Sequence, residues 1–476
     1  MCGIFATTGG GFPNHSLRHR GPDAHSVLRL KRVKLAFWRL AINGLNGGMQ
    51  PIQHKDKYLI ANAEIYNHIE LGGVKGESDC NVILNMVEKV GLITTCKVIN
   101  GDFAFVITDG TSLWAARDRV GVRPLYYCKH SRGIAFASEV KALLHFKARI
   151  NHFPPGHVYT DGKFVCWETN HWDRPNLGKT VDNLHMMLWD AVKLRVTNTE
   201  VPVGFFLSGG LDSSIVAAIG KQILGKQIRT FAIGLEGAPD LIAARQMATF
   251  LDSDHTEVIF TPDEGIDVIH DVIWHLETFD TTTIRASIPM FLLSKYIKEH
   301  TDIRVILSGE GSDELFGGYL YFHGAPTKEA FVAETERLVN DVYMFDVLRA
   351  DRTTSAHGIE LRVPFFDPNL INYVMGGFDQ SVKMPKDGFE KHLLRSTFEG
   401  ILPHNIAWRQ KNGMSDAVGY KWRESLKKYG EHQYKDIFTY YFGKNKHLVP
   451  YMWMPKWSNA TDPSATQLPY FSSHQS

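Results

Sequence analysis

The spacing of apolar residues changes once along this chain, across the polar stretch ETNHWDRPNLGKT (168–180), and a change of that kind requires two differently built parts. Through residue 168, short β-rich runs alternate apolar and polar positions: VKLAFWRLAI, KYLIANAEIY, GDFAFVITDG, TSLWAARDRVGVRPLYYC and RGIAFAS. Asp-Gly, Gly-Gly and Pro-Gly turns separate them, so this half is expected to form stacked antiparallel sheets with a few covering helices. Helical patterning occurs near Asp79–Val90 and in SEVKALLHF, where Ser138 is the expected N-cap. Beyond 180, helix-length amphipathic segments alternate with the apolar strands VPVGFFL, IRTFAIGL and IRVILSG. That alternation predicts a parallel sheet wrapped by helices. The stretch 168–180 carries Pro and Gly and is the expected linker, which puts the domains at 1–177 and 178–476.

A chain of 476 residues accommodates two or three domains. Its net charge of +1 argues against a nucleic-acid or membrane-surface partner recruited by bulk charge. The five cysteines, Cys2, Cys80, Cys96, Cys128 and Cys166, are odd in number and include no C-x-x-C pair, so a reducing compartment is expected. No basic and apolar leader opens the chain, and no run long enough to span a bilayer occurs. The expected location is cytoplasmic.

The most specific stretch is VPVGFFLSGGLDSSIVAAIGKQIL. A strand ends at Leu207, the turn Ser208-Gly209-Gly210 follows, and Ile215, Ile219 and Ile223 mark a helix starting near Asp212. Glycines admit close backbone approach, while Ser213, Ser214 and the first-turn N–H groups offer donors to an anion such as a phosphate. No Lys follows the glycines, so this is not a P-loop. A second strand-turn-helix pattern, VILSGEGSDELFGGYLYFH, supplies Glu310, Asp313 and Glu314. At the other end, removal of Met1 from MCGIF would give Cys2 both a thiol and a free α-amine, a nucleophile and its base on one residue. Taken alone, Cys2 is better read as a small half-buried residue opening a strand.

SGGLDSS resembles the pyrophosphate loop of N-type ATP pyrophosphatases, and the chain as a whole resembles the glutamine-hydrolysing asparagine synthetases. The likeness runs in order through MCGIF, RHRGPD, EIYNH, SDC, RPLYY, ASEVKALL, SGGLDSS, TTIRAS, SGEGSDELFGGY, EKHLLR, WRQK, and MPKW with DPSA. It implies an N-terminal-nucleophile amidotransferase, an antiparallel β-sandwich covered by helices, fused to a parallel α/β ATP-pyrophosphatase domain. The implied reaction makes asparagine from aspartate and glutamine through β-aspartyl-AMP, releasing AMP, pyrophosphate and glutamate.

By that resemblance Cys2 is the nucleophile, Arg39 holds the glutamine carboxylate and Asp79 its ammonium group. Asn62 and the N–H of Ala63 form the oxyanion hole, and Glu64 helps bind the amino group. ATP falls to Leu207, Ser208, Gly209, Gly210, Asp212, Ser213, Ser214, Ile233, Ser308 and Gly309, with Mg²⁺ on Asp212 and Asp313. Glu310 and Lys411 stand at the reacting phosphate, and Thr282, Thr283, Arg285 and Glu310 at aspartate. A homodimer and an enclosed passage for ammonia are also implied. Two departures from the family stand out: the segment from Gly10 to Arg18 is short, and Ala63 replaces the usual glycine. The nearest alternatives are a synthetase of the same architecture acting on another carboxylate, such as a β-lactam-forming enzyme, and a non-catalytic protein on the same fold.

Overall fold

Two six-stranded antiparallel sheets lie face to face in the first third of the chain because their strands alternate. In this computed structural model, residues 1–476 are described except 12–14, 169–171, 173–180, 412–417, 420, 421, 423, 424, 427, 428, 451–453 and 459–476. The expected linker therefore lies largely outside the described residues, as do the DPSA motif and part of the short segment after Gly10.

The first sheet contains β1 (Gly3–Thr8), β2 (Ala24–Arg29), β3 (Val33–Arg39), β8 (Tyr126–His130), β9 (Gly133–Ala137) and β10 (Ile150–His152), in the order β10-β8-β9-β1-β3-β2. The second contains β4 (Ile52–His54), β5 (Lys57–Ile65), β6 (Gly101–Thr108), β7 (Leu113–Arg117), β11 (His157–Thr160) and β12 (Lys163–Cys166), in the order β12-β11-β7-β6-β5-β4. Ile4, Ala6, Leu35 and Phe37 meet Ile60, Ala104 and Val106 between the sheets. The outer face of the second sheet, with Leu59, Ala61, Phe103 and Phe105, packs on Val82 and Ile83 of the helix Asn81–Val90.

Two sequence expectations change. The run TSLWAARDRVGVRPLYYC is not one strand. It folds at Asp118, whose carboxylate accepts the N–H groups of Val122 (2.8 Å), Arg123 (2.9 Å) and Phe103 (3.2 Å), leaving β7 and β8 in different sheets. SEVKALLHF forms two short 3₁₀ turns, Val140–Ala142 and Leu144–Phe146, rather than an α-helix. Ser138 does not cap it, because its Oγ accepts the N–H of Ile4 at 3.0 Å. Glu277, from far along the chain, accepts the N–H groups of Val140 and Lys141 instead, both at 2.8 Å.

The remainder is built on a parallel sheet, β13 (Val203–Phe206), β14 (Arg229–Gly234), β15 (Asp254–Ile259), β16 (Val305–Leu307) and β17 (Glu360–Arg362), ordered β15-β14-β13-β16-β17. β13 continues to β14 on one side and pairs with β16 on the other, so the strand order reverses between β13 and β16. A crevice opens at the carboxyl ends of the strands at such a reversal.

The antiparallel sheets meet this half through buried charge. Arg20 binds Glu139 at 2.9 Å and both oxygens of Asp351 at 2.8 and 3.0 Å. Arg352 binds Glu139 at 2.7 Å and Glu277 at 3.0 Å. Nearby, Arg362 binds Glu64 at 2.9 Å and Glu360 at 2.8 Å. Burial opposes ionisation, and the facing acids restore it: Asp351 and Glu139 hold Arg20 above the usual guanidinium range. Removing one member leaves a buried charge in excess. Asp351→Ala is expected to destabilise the fold by about 3–5 kcal/mol, read as a lowered melting temperature.

Candidate functional site

The pairing of β1 with β3, which sets Gly3 opposite Trp38, brings Cys2 beside Leu40. Cys2 Sγ accepts the N–H of Leu40 at 3.5 Å, and the backbone N–H of Cys2 donates to Asn62 Oδ1 at 2.9 Å. Asn62 is buried on β5, and among the described residues its Nδ2 has no partner. A buried amide with one end fixed and its donor unspent is costly unless something negative arrives there. Burial raises the Cys2 thiol above its ordinary value. Met1 is buried, with its amine 3.3 Å from Glu360.

The other residues expected at glutamine lie in the same region with partners of their own. Arg39 Nη2 donates to the carbonyl of Gly44 at 2.6 Å. Asp79 accepts the N–H of Ile65 at 2.6 Å, and burial raises its carboxyl. Glu64 Oε2 accepts from Asn43 at 3.0 Å and from Arg362 at 2.9 Å, so this acid also fastens the two halves together.

Ala63 follows Asn62 on β5, opposite Phe103, and is not among the residues with positive φ. Its methyl packs in the cluster containing Cys80, Val82 and Phe103, on the helix-covered face. Alternation turns it away from the Asn62 side of the strand. Alanine in place of glycine therefore brings neither backbone strain nor crowding of Cys2.

The second centre lies at the crevice between β13 and β16, around a cavity of about 260 Å³. Gly209 has φ +69°, and a Cβ there would lie 2.3 Å from the backbone carbon of Ala243. A Cβ on Gly309 would lie 2.8 Å from Asp212, so the two loops touch through glycine. Ser208 Oγ and Ser213 Oγ lie 3.1 Å apart across the first loop.

Leu207, Ser208, Gly210, Asp212, Ser213, Ile233, Thr282, Thr283, Ser308, Gly309, Glu310, Asp313 and Lys411 all line the cavity. Three expected residues do not. Gly209 packs on the neighbouring helix, Ser214 is turned into the core, and Arg285 lies beside the Tyr434 hydroxyl at the edge of the lining stripe.

Two of the charges that organise this cavity, Lys391 and Arg349, were not among the expected site residues. Lys391 Nζ donates to Asp212 at 2.6 and 2.8 Å and to Asp313 at 2.7 Å, while Lys411 pairs with Asp313. Although burial works against it, Lys391 and Lys411 hold the Asp313 carboxyl below its usual range. Arg349 binds Glu310 at 2.8 Å and Asp346 at 2.7 Å. Burial is the largest influence on Glu310, and with Asp346 and Asp313 nearby its carboxyl is raised to about 7 despite Arg349. Lys391 sits in EKHLLR, read only for likeness, and Arg349 belongs to no quoted motif, so only the fold reveals either.

Among the described residues, no group of three or more His, Cys, Asp or Glu side chains could hold a metal. Asp212 and Asp313 nevertheless converge on one cationic atom. Two carboxylates with the remaining positions left to water and phosphate suit Mg²⁺.

Comparison with known proteins places these two centres in a wider setting. Residues 1–160 match the family described as glutamine amidotransferase domain, and residues 183–334 and 324–448 match asparagine synthase. The curated "Asparagine synthetase, glutamine-hydrolyzing" of Bos taurus is 39% identical over 558 positions, covering 99% of this chain and 99% of that protein. The protein of that name from Homo sapiens is 39% identical over 560 positions, again covering 99% of both chains. These alignments exceed the 476 residues present here, so the relatives carry segments that this chain lacks.

The two faces of β5 make opposite predictions for neighbouring residues. Ala63→Gly is expected to leave the rate of glutamine hydrolysis unchanged. Asn62→Ala should lower it by about 10²–10³-fold, the usual effect of losing one oxyanion donor, and steady-state release of glutamate measures both.

Proposed function

The chain belongs to the glutamine-hydrolysing asparagine synthetases, and we propose that it makes asparagine from aspartate, ATP and glutamine at two centres, in domains 1–177 and 178–476. The observation that carries the reading is Asn62: oriented by Cys2 and with its donor unspent, it suits an oxyanion developing beside the thiol.

In the first centre the Cys2 thiolate attacks the side-chain amide carbon of glutamine. The α-amine, freed by removal of Met1, takes the thiol proton and passes it to the departing ammonia. Asn62 Nδ2 and the N–H of Ala63 donate to the oxyanion, and water then cleaves the thioester to glutamate. Arg39 is assigned to the substrate carboxylate, and Asp79 with Glu64 to its ammonium group.

In the second centre Ser208, Gly210 and Ser213 cradle the phosphates, and Leu207, Ile233, Ser308 and Gly309 surround the nucleotide. Thr282 and Thr283 orient aspartate so that its β-carboxylate attacks the α-phosphorus and pyrophosphate leaves. Mg²⁺, when bound by Asp212 and Asp313, would neutralise charge on the pyrophosphate. Lys411 stabilises charge on the reacting phosphate. Ammonia then attacks the β-carbonyl of β-aspartyl-AMP and AMP departs. Glu310, whose carboxyl burial raises to about 7, is suited to accept the proton that the new amide nitrogen releases.

Protonated ammonia is not a nucleophile, so transfer through an enclosed route is part of the proposal. So are a cytoplasmic location and a homodimer. Among the described residues, no helix is long and apolar enough to cross a membrane.

Cys2→Ala is expected to abolish synthesis from glutamine and spare synthesis from ammonium. Asp212→Asn should abolish synthesis from both while glutamine hydrolysis persists. Chromatography of the wild-type reaction should give AMP and pyrophosphate, and appearance of ADP and phosphate would refute adenylylation.

A further inference from the structure

We propose that Glu277 is a positioning residue that ties the two centres to one another. It ends the helix Ile269–Leu276 in a left-handed conformation, φ 60° and ψ 33°. Glycine adopts that conformation freely, whereas glutamate adopts it at a cost. A residue retained there at a cost is held by its surroundings, and here the side chain identifies them. Oε2 accepts from the N–H of Val140 at 2.8 Å and from Arg352 at 3.0 Å. Oε1 accepts from the N–H of Lys141 at 2.8 Å and pairs with Lys141 Nζ at 3.2 Å. Both oxygens are spent across the interface, and neither is spent on the helix that Glu277 terminates.

These contacts continue in both directions. Toward the thiol, Glu139 precedes the capped turn and binds Arg20 at 2.9 Å, and Arg20 Nε donates to the carbonyl of Cys2 at 3.1 Å. Arg352 joins Glu139 to Glu277, closing a buried circuit. Toward the cavity, four residues separate Glu277 from Thr282. Within them Asp280 caps the helix Thr281–His300 by accepting the N–H of Thr283 at 2.9 Å and its hydroxyl at 2.8 Å. Thr282 and Thr283 are in the cavity wall. One side chain thus fixes a turn of the glutaminase half against the segment that starts the aspartate-facing helix.

The inference rests on the proposed glutamine-dependent synthesis. A simple helix terminator would be replaced by glycine without harm, whereas a positioning residue would not. The test uses the full chain carrying Glu277→Gly. Glutamate and asparagine are measured together at saturating aspartate and ATP, alongside ammonium-dependent synthesis and the melting temperature. Glutamate formed per asparagine should rise roughly five-fold or more, within the usual range for coupled sites, while ammonium-dependent kcat stays within about two-fold. An unchanged ratio in the folded variant, or a proportionate fall of all activities, would overturn the proposal. If the glycine variant does not fold, Glu277→Gln, which keeps one acceptor oxygen, should give a smaller rise, and an unchanged ratio there is equally fatal. Absence of asparagine from glutamine in the wild type would instead refute the underlying reaction.

Discussion

Buried charge between the antiparallel sheets and the parallel sheet governs this molecule. Arg20, Glu139, Asp351, Arg352 and Glu277 form one circuit, and Glu64, Glu360 and Arg362 form another beside Cys2. Such groups lose hydration when buried, and their mutual attraction offsets that loss only if their geometry is kept. An apolar interface tolerates sliding, whereas this one has few acceptable registers. That restriction matters because Cys2 and the cavity depend on elements anchored in these circuits.

The two centres use opposite electrostatic designs. Beside Cys2, Asn62 keeps a donor that has no partner among the described residues, which fits the proposed oxyanion. In the cavity, charge is already abundant and balanced: Lys391 between Asp212 and Asp313, and Arg349 between Glu310 and Asp346. The first arrangement suits a neutral amide becoming an oxyanion. The second suits a polyphosphate. The glycines of the two loops let these charges approach across the strand reversal.

Much of this was legible in the sequence where local rules decide. Period-two alternation marked about half of the antiparallel strands, and SGGLDSS marked its turn and helix because glycines and apolar spacing act within a few residues. Reading failed where a distant partner decides. Ser138 looked like an N-cap, but β1 claims its hydroxyl and Glu277 performs the capping. The strand β17 is only three residues long, and β15 is an incompletely buried edge, so neither carried an apolar run. Ala63 looked disruptive because the face of β5 on which it falls depends on register with β6. Lys391 and Arg349 had ordinary neighbours, and their importance arises only from acids remote in sequence.

In the proposed function, this charged interface joins a glutaminase centre to an adenylylating centre so that nitrogen passes directly between them. The most direct measurement supplies glutamine labelled with ¹⁵N in its side-chain amide together with excess unlabelled ammonium at neutral pH, and reads the label in asparagine by mass spectrometry. Direct passage predicts asparagine enriched well above the ammonium pool. Enrichment equal to that of the pool would contradict it, because the nitrogen would have escaped to solvent before reaching the second centre.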